Sequence, residues 1–143
     1  MRVGNKGRYA VQAIVFISQQ DHRNPVSLSE IKKFHDISLS YLEQLFSKLR
    51  QAGVVKSVRG PGGGYILSQS PDRIKISEVI EAVEMSTAKS ELDRSQTGLL
   101  WDALGYQILG FLNSISVADV CEGRIDVIGK ERSQNSSTYA VAK

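Results

Sequence analysis

Apolar residues recur at helical spacing in the stretch from Ser38 to Arg50. They follow an i, i+3, i+4, i+7 pattern, at Leu42, Leu45, Phe46 and Leu49. That spacing predicts an amphipathic helix with one buried face. The opposite face carries Ser40, Glu43, Gln44, Ser47 and Lys48. Because hydroxyl, carboxylate and amide groups can contact base edges, this helix is a candidate for recognising DNA.

Two helical patterns precede this one. Apolar residues within positions 6–20 predict a first helix that ends near Gln20. Ser27 and Glu30 have the spacing of a capping box, which predicts a second helix over about residues 28–35. The short distance between the second helix and the third is typical of a helix-turn-helix.

The third helix has two candidate starting points and one clear end. Ser38 can cap its amino terminus, whereas Ser40 with Glu43 offers a competing capping box. Gly53 is placed as the stop at the carboxyl terminus. The predicted helix therefore begins within two residues of Ser38.

Two short apolar runs, 54–58 and 65–68, flank a glycine-rich segment at 60–64. The pattern predicts a β-hairpin whose tip is stiffened by Pro61, with Arg59 placed to enter a narrow minor groove. An ordinary exposed hairpin is the alternative. A phosphate-binding P-loop is excluded, since that motif requires a lysine after the last glycine.

Two helices are predicted in the second half. Residues 76–85 alternate apolar positions with an acidic outer face of Glu78, Glu81 and Glu84, and this helix is expected to pack onto the first. A longer apolar stripe, with Trp101 beside it, contains Leu100, Leu104, Ile108, Phe111, Leu112 and Ile115. We interpret it as a dimerisation helix, with a simple core helix as the alternative. A short helix begins at Ser116, and residues after about Lys130 are predicted to be disordered.

Charge is divided unevenly along the 143 residues. Residues 1–75 carry 12 Lys and Arg against 5 Asp and Glu, which is a net +7, whereas residues 76–143 carry 6 against 10, a net −4. A basic half indicates a polyanionic partner, although a solvated basic surface is the alternative. No signal peptide or membrane span is recognisable, so we expect a cytoplasmic protein with no membrane partner.

The polar face of the third helix suggests specific roles. Gln44 suits a bidentate contact with adenine, and Glu43 could accept from cytosine N4 or serve as a capping residue. The amino-terminal positions Ser38, Ser40 and Tyr41 lie where a phosphate is favoured by the helix dipole. Three basic residues are candidates for phosphate contacts, namely Lys48, Arg50 and Lys56. Such contacts position the protein on the duplex without specifying its sequence.

Other reactive residues give weaker signals. Cys121 is the single cysteine, so it cannot form an internal disulfide, and it is either an inert thiol or a redox sensor. His22 and His35 lack neighbouring ligands at metal-binding spacing and are expected to be surface residues. No set of nucleophile, base and orienting group is apparent, so we expect neither catalysis nor a metal site.

Three segments resemble the iron–sulphur cluster regulator (IscR-like) branch of the Rrf-type winged-helix repressors. They are 7–11, 37–46 and 57–65. The resemblance implies a bacterial homodimer that binds an imperfect palindrome of double-stranded DNA, with the third helix in the major groove and the hairpin in the minor groove. By the same resemblance, the DNA-contacting positions are Ser38, Ser40, Tyr41, Glu43, Gln44, Arg59, Gly60 and Pro61.

The sequence departs from that family in the loop before the long helix. Members that sense iron–sulphur status carry three cysteines and often a histidine there. Residues 85–98 contain neither, and Gly98 stands where the ligand histidine is expected. Cluster ligation needs several cysteines in each chain. We therefore predict a regulator without a cluster or other cofactor.

These observations predict a mainly α fold with a small β-hairpin, namely a winged helix-turn-helix followed by a long C-terminal dimerisation helix. The expected division is a DNA-binding domain at 1–85, a short linker at 86–98, the dimerisation helix and short helix at 99–122, and a flexible tail at 123–143. The expected function is a homodimeric transcription regulator that represses its targets. A module that binds a partner enzyme rather than DNA is the alternative, and the effector or partner protein that signals to the regulator stays open.

Overall fold

The computed structural model describes residues 3–84 and 96–125. Its elements, in chain order, are α1 (Asn5–Ser18), α2 (Leu28–Phe34), α3 (Leu39–Gln51), β1 (Val55–Val58), β2 (Gly64–Leu67), a 3-10 turn (Pro71–Arg73), α4 (Ile76–Glu84), α5 (Gln96–Asn113) and α6 (Val117–Glu122). The predicted mainly α fold with one hairpin is confirmed. None of the helices in the described ranges combines the length and apolar character needed to cross a bilayer.

Local capping determines where α2 and α3 begin. Ser27 Oγ accepts from Glu30 N at 3.2 Å, and Glu30 Oε2 accepts from Ser27 N at 2.7 Å, which completes the predicted capping box. Ser38 Oγ accepts from Tyr41 N at 3.1 Å and starts α3. Glu43 makes no such bond, so Ser38 rather than the competing Ser40 box caps this helix.

The end of α3 is a Schellman motif. Val54 N donates to Leu49 O, and Gly53 N donates to Arg50 O, each at 3.0 Å. Gly53 has a φ of +79°, a left-handed conformation that favours glycine. The chain thereby turns directly from α3 into the hairpin.

The hairpin is antiparallel, with Val55 opposite Leu67 and Val58 opposite Gly64. Val26, just before α2, extends it by a two-hydrogen-bond bridge to Tyr65, with N···O distances of 2.8 and 2.9 Å. A Cβ at Gly64 would collide with the Val26 carbonyl oxygen, so this close approach requires glycine. The base of the hairpin is therefore fixed to the helix-turn-helix.

A single core joins α1 to α4, the hairpin and α6. α1 packs mainly on α4, as predicted. The segment after α5 returns to the same body: Ile76 N donates to Ile115 O at 2.9 Å, and Val117 N donates to Ile74 O at 2.8 Å. The segment that follows α5 is thus anchored on the body formed by α1 to α4 and the hairpin.

Two features differ from the sequence-based expectations, and others lie outside the described residues. Residues 96–98, assigned to the linker 86–98, form the first turn of α5, and Gly98 is buried. Residues 85–95 and the predicted tail beyond Ile125 lie outside the described residues. Glu84 does not belong to an outer acidic face, because its carboxylate is half-buried against the start of α1.

Candidate nucleic-acid interface

The third helix, α3, buries its apolar stripe and exposes polar side chains on the opposite face. Its four apolar stripe residues are at most 2% exposed, and they are Leu42, Leu45, Phe46 and Leu49. Ser40, Glu43 and Gln44 are exposed on the other side, whereas Lys48 is half-buried. Neither Glu43 nor Gln44 forms a side-chain hydrogen bond within the described residues. Their polar groups are therefore available to a ligand.

The capping interpretation of Glu43 is wrong. The amino terminus of α3 is capped by Ser38, and the Glu43 carboxylate accepts no backbone hydrogen bond from that turn. The Glu43 carboxylate is therefore exposed and has no capping role.

Tyr41 is less accessible than its neighbours Ser40 and Glu43. It is half-buried, and its ring meets that of Tyr9 edge to face, with centroids 6.1 Å apart and an interplanar angle of 87°. Burial, the Glu84 carboxylate and Tyr9 all raise the pKa of the Tyr41 phenol, so its hydroxyl stays protonated at neutral pH. Tyr41 therefore lies between α1 and the outer face of α3.

Glycine shapes the tip of the hairpin. Gly60 and Gly62 have φ values of +104° and +72°, and a Cβ at Gly63 would collide with the Val58 carbonyl oxygen. Arg59 and Pro61 are exposed at this tip, as is Gly60. The tip is therefore a tight turn that presents one guanidinium group.

An aromatic contact connects the hairpin to α3. The ring of Phe46, on the buried face of α3, lies 4.7 Å from that of Tyr65 in β2, centroid to centroid. Tyr65 is also bridged to Val26 before α2. Because both contacts involve buried or half-buried groups, the hairpin and α3 are held at a defined relative position.

Basic side chains surround these elements. The exposed lysines and arginines of the first four elements and the hairpin are Lys6, Arg8, Lys32, Lys33, Arg50, Lys56 and Arg59. Within the described residues, none of these cations forms a salt bridge. Unpaired cations on one domain favour a polyanionic ligand, since binding phosphates releases condensed counterions.

His35 is the half-buried C-cap residue of α2, in the turn that leads to α3, whereas Cys121 and His22 lie outside the helix-turn-helix. Cys121 is half-buried on α6, and its Sγ lies 2.9 Å from Ser18 Oγ at the end of α1. His22 is exposed and lines a cavity of about 320 Å³ between the α1–α2 loop and the residues after β2. Over residues 3–84 and 96–125, no group of three or more potential metal ligands is found.

Comparison with known proteins identifies the family of this chain. The model of the Rrf2 family, described as an iron-dependent transcriptional regulator, matches residues 3–123. The chain belongs to the Rrf2 family. Its sequence is 42% identical over 146 residues to the HTH-type transcriptional regulator IscR of Erwinia tasmaniensis, covering 96% of this chain and 88% of that protein.

Solved structures show the same relationship for this Rrf2 protein. It resembles T. potens IscR with a TM-score of 0.72 and 39% identity, over 87% of this chain and 88% of that one. CymR of B. subtilis, titled the global cysteine regulator, matches with a TM-score of 0.71 and 32% identity, over 85% and 97%. The chain is therefore a DNA-binding transcription regulator with a winged-helix fold, and the enzyme-binding alternative gains no support.

Two features of this Rrf2 domain were missed by sequence reasoning. The bridge from Val26 to Tyr65 extends the hairpin, but a single apolar residue between two loops carries no strand signal. The contact of Glu84 with α1 was assigned to solvent because helical periodicity places Glu84 beside other acidic residues. Glycines at 4 and 7 were the available sign that another group approaches the start of α1.

Proposed function

We propose that this protein is a cytoplasmic homodimeric repressor that binds an imperfect palindromic operator and holds no iron–sulphur cluster. The observation that carries the proposal is the outer face of α3, where Glu43 and Gln44 are exposed and unpaired beside a hairpin with an exposed arginine. Such a face suits a major groove, which presents a distinct pattern of donors and acceptors for each base pair.

Each site residue has a proposed role in this complex. Gln44 and Glu43 read bases, and Ser40 with the accessible edge of Tyr41 contacts the phosphates or bases near the start of α3. Ser38 combines its cap with a phosphate contact through the exposed helix start. Lys48 contributes its charge to a phosphate. At the hairpin tip, Arg59, Gly60 and Pro61 enter the minor groove.

The dimer is supported by the surface of α5. Side chains along this helix that would normally be buried are exposed, namely Leu99, Leu100, Trp101, Leu104, Tyr106 and Phe111. Of these, Leu100, Leu104 and Phe111 share one face at helical spacing, and an exposed apolar face of this kind typically marks an interface. Two-fold symmetry then predicts half-sites separated by about one helical turn of DNA or a multiple of it.

An iron–sulphur cluster does not fit this chain. The sequence holds one cysteine, and residues 85–98 contain neither cysteine nor histidine. Cys121 itself contacts Ser18 on α1 and lies after the long helix. Since clusters are held by several thiolates, the donor set is inadequate. We therefore propose that DNA binding by this regulator is independent of a cluster.

The test is capture of fragmented bacterial genomic DNA by purified protein at near-physiological salt, followed by sequencing of the bound fragments. We expect enrichment of a shared palindrome, and affinity for it that falls steeply as salt rises. An absorption spectrum of anaerobically purified protein should lack a sulphide-to-iron charge-transfer band. A uniform background of fragments would refute the DNA-binding part, and a strong band would refute the cluster-free part.

A further inference from the structure

Glu84, the last residue of α4, caps a helix that begins 80 positions earlier in the chain. Its Oε1 accepts hydrogen bonds from Gly4 N at 2.9 Å and from Gly7 N at 2.8 Å. These donors occupy the N-cap and N3 positions of α1, which are the two that a local capping box normally satisfies. The first turn of α1 contains no acidic residue, and its N-cap has no side chain. Glu84 therefore supplies, from α4, the hydrogen-bond acceptor that the sequence of α1 lacks at its own start.

The two glycines make room for this carboxylate. A Cβ at Gly4 would lie 3.1 Å from Glu84 Oε1, and a Cβ at Gly7 would lie 3.1 Å from Oε1 and 3.3 Å from Cγ. Either side chain would push the carboxylate outward. A glycine inside a helix normally weakens it, so the presence of Gly7 in α1 is explained by this close approach.

The next turn of α1 contacts α3, the helix proposed to read the operator. Tyr9 follows Gly7 by two residues, and its ring packs edge to face against Tyr41 in the first turn of α3. The Glu84 charge acts on the Tyr41 phenol as well, since it is the second cause, after burial, of the raised pKa of Tyr41. Glu84, Tyr9 and Tyr41 thus form a continuous path from the end of α4 to the start of α3.

We infer that Glu84 is a positioning residue for operator recognition: by holding the first turn of α1 it fixes Tyr9, and through Tyr9 it fixes the start of α3. Glu84 is not itself a DNA contact. Recognition of base edges requires side chains held closely in place by their supporting contacts, and this path supplies such support for Ser40, Tyr41 and Glu43. The inference rests on the proposed DNA contacts of α3.

The test uses full-length Glu84→Ala, Glu84→Gln and a matched control, Glu81→Ala. Glu81 lies one turn earlier on α4, is half-buried and makes no hydrogen bond within the described residues, so the control removes an equal charge. We expect Glu84→Ala to lower affinity for the captured operator by roughly fivefold to twentyfold, a size typical of coupling between sites. Its affinity for random DNA should stay nearly unchanged.

Glu84→Gln should retain most of the operator affinity, because its amide oxygen can accept from the same two N–H groups. Glu81→Ala should match the wild type. Tyr9→Leu combined with Glu84→Ala should lose no more affinity than the more damaging single variant, since both changes interrupt one path. A merely structural defect would instead weaken binding to operator and random DNA alike.

Amide NMR shifts of Gly4 and Gly7, recorded without DNA, test the capping contact separately. They should move in Glu84→Ala and not in Glu81→Ala. The positioning role is refuted if the wild type recognises an operator and Glu84→Ala binds it equally well. It is also refuted if the fold-loss in operator affinity of the Tyr9→Leu, Glu84→Ala double variant equals the product of the two single-variant losses. If the wild type selects no operator at all, the proposed function fails and the positioning role fails with it, whatever the amide shifts show.

Discussion

The helices α3 and α5 both carry many apolar side chains, but α3 buries most of them and α5 leaves most of the large ones exposed. The α3 stripe is buried within the chain, and the exposed side chains of this helix are polar apart from Leu39 at its start. On α5, Trp101 is 60% exposed and Tyr106 is 76% exposed, and the buried positions are Gly98 and Gly105. The difference teaches that apolar spacing alone does not tell whether a helix is covered within the chain: α3 buries its stripe, whereas α5 leaves large apolar side chains exposed.

This contrast separates three kinds of loss. A change on the buried face of α3 should reduce the stability of each protomer, and a change on its outer face should affect DNA alone. A change on the exposed face of α5 should affect association between protomers.

Phe46→Ala should have the largest effect. Phe46 is fully buried on α3 and contacts the ring of Tyr65, so its truncation leaves a cavity between the helix and the hairpin. We expect the free energy of unfolding to fall by about 3–5 kcal/mol. Urea denaturation at matched protein concentration measures this. A loss below about 1 kcal/mol would mean that α3 does not depend on its own core.

Trp101→Ala should weaken the dimer while leaving the protomer folded. Because tryptophans at the centre of interfaces are often hot spots, we expect the free energy of dimerisation to fall by about 2–4 kcal/mol, measured by sedimentation equilibrium. Phe34→Ala is the matched control, since Phe34 is 67% exposed on α2 and lies outside α5. Equal weakening by both variants would argue against α5 as the interface.

Gln44→Ala should affect DNA binding without affecting stability or dimerisation. We expect a loss of about 1–3 kcal/mol on the operator and little change on random DNA. Lys48→Ala should weaken binding to both kinds of DNA and make it less dependent on salt. Fluorescence anisotropy titrations at several salt concentrations measure both. If Gln44→Ala also weakened both equally, the outer face of α3 would not read sequence.

Asp119→Asn should give the smallest effect, and it probes the region just after α5. The pKa of Asp119 lies below its ordinary value of 3.8, chiefly because its carboxylate accepts from Ser116 N, at 2.9 Å, with a smaller effect from Arg124. Because the folded state favours the ionised carboxylate, Asp119 stabilises the fold above pH 3.8. This stabilisation is lost as the pH falls through the pKa that Asp119 has in the folded protein.

Thermal unfolding across pH checks this sign. The wild type should be slightly more stable than Asp119→Asn at neutral pH, and the difference should shrink as the pH falls below 3.8. A difference that grew at acid pH would contradict the assigned role of the capping box formed by Ser116 and Asp119.

Local signals in the sequence predicted most of the DNA-binding fold. Ser27 with Glu30, Ser38 and Gly53 each act within four residues of their partners, so their spacing alone indicates where α2 and α3 begin or end. The split between the faces of α3 follows from helical period in the same way. The sequence therefore predicted the buried stripe of α3 and the exposure of Ser40, Glu43 and Gln44, whereas Ser47 and Lys48 are half-buried.

Features that depend on distant partners were not predictable in this way. Glu84 contacts backbone amides of α1, and backbone donors leave no distinctive residue type to search for. Tyr41 looked like an outer-face residue until α1 placed Tyr9 against it. The start of α5 at Gln96 was missed because its first turn is polar and contains Gly98, which weakens the helical pattern.

Native mass spectrometry of the protein bound to the captured palindrome would test the central claim most directly. The account predicts a complex of two chains and one duplex, with no additional mass of iron or sulphide. A complex with one chain per palindrome, or one that carries the mass of a cluster, would contradict it.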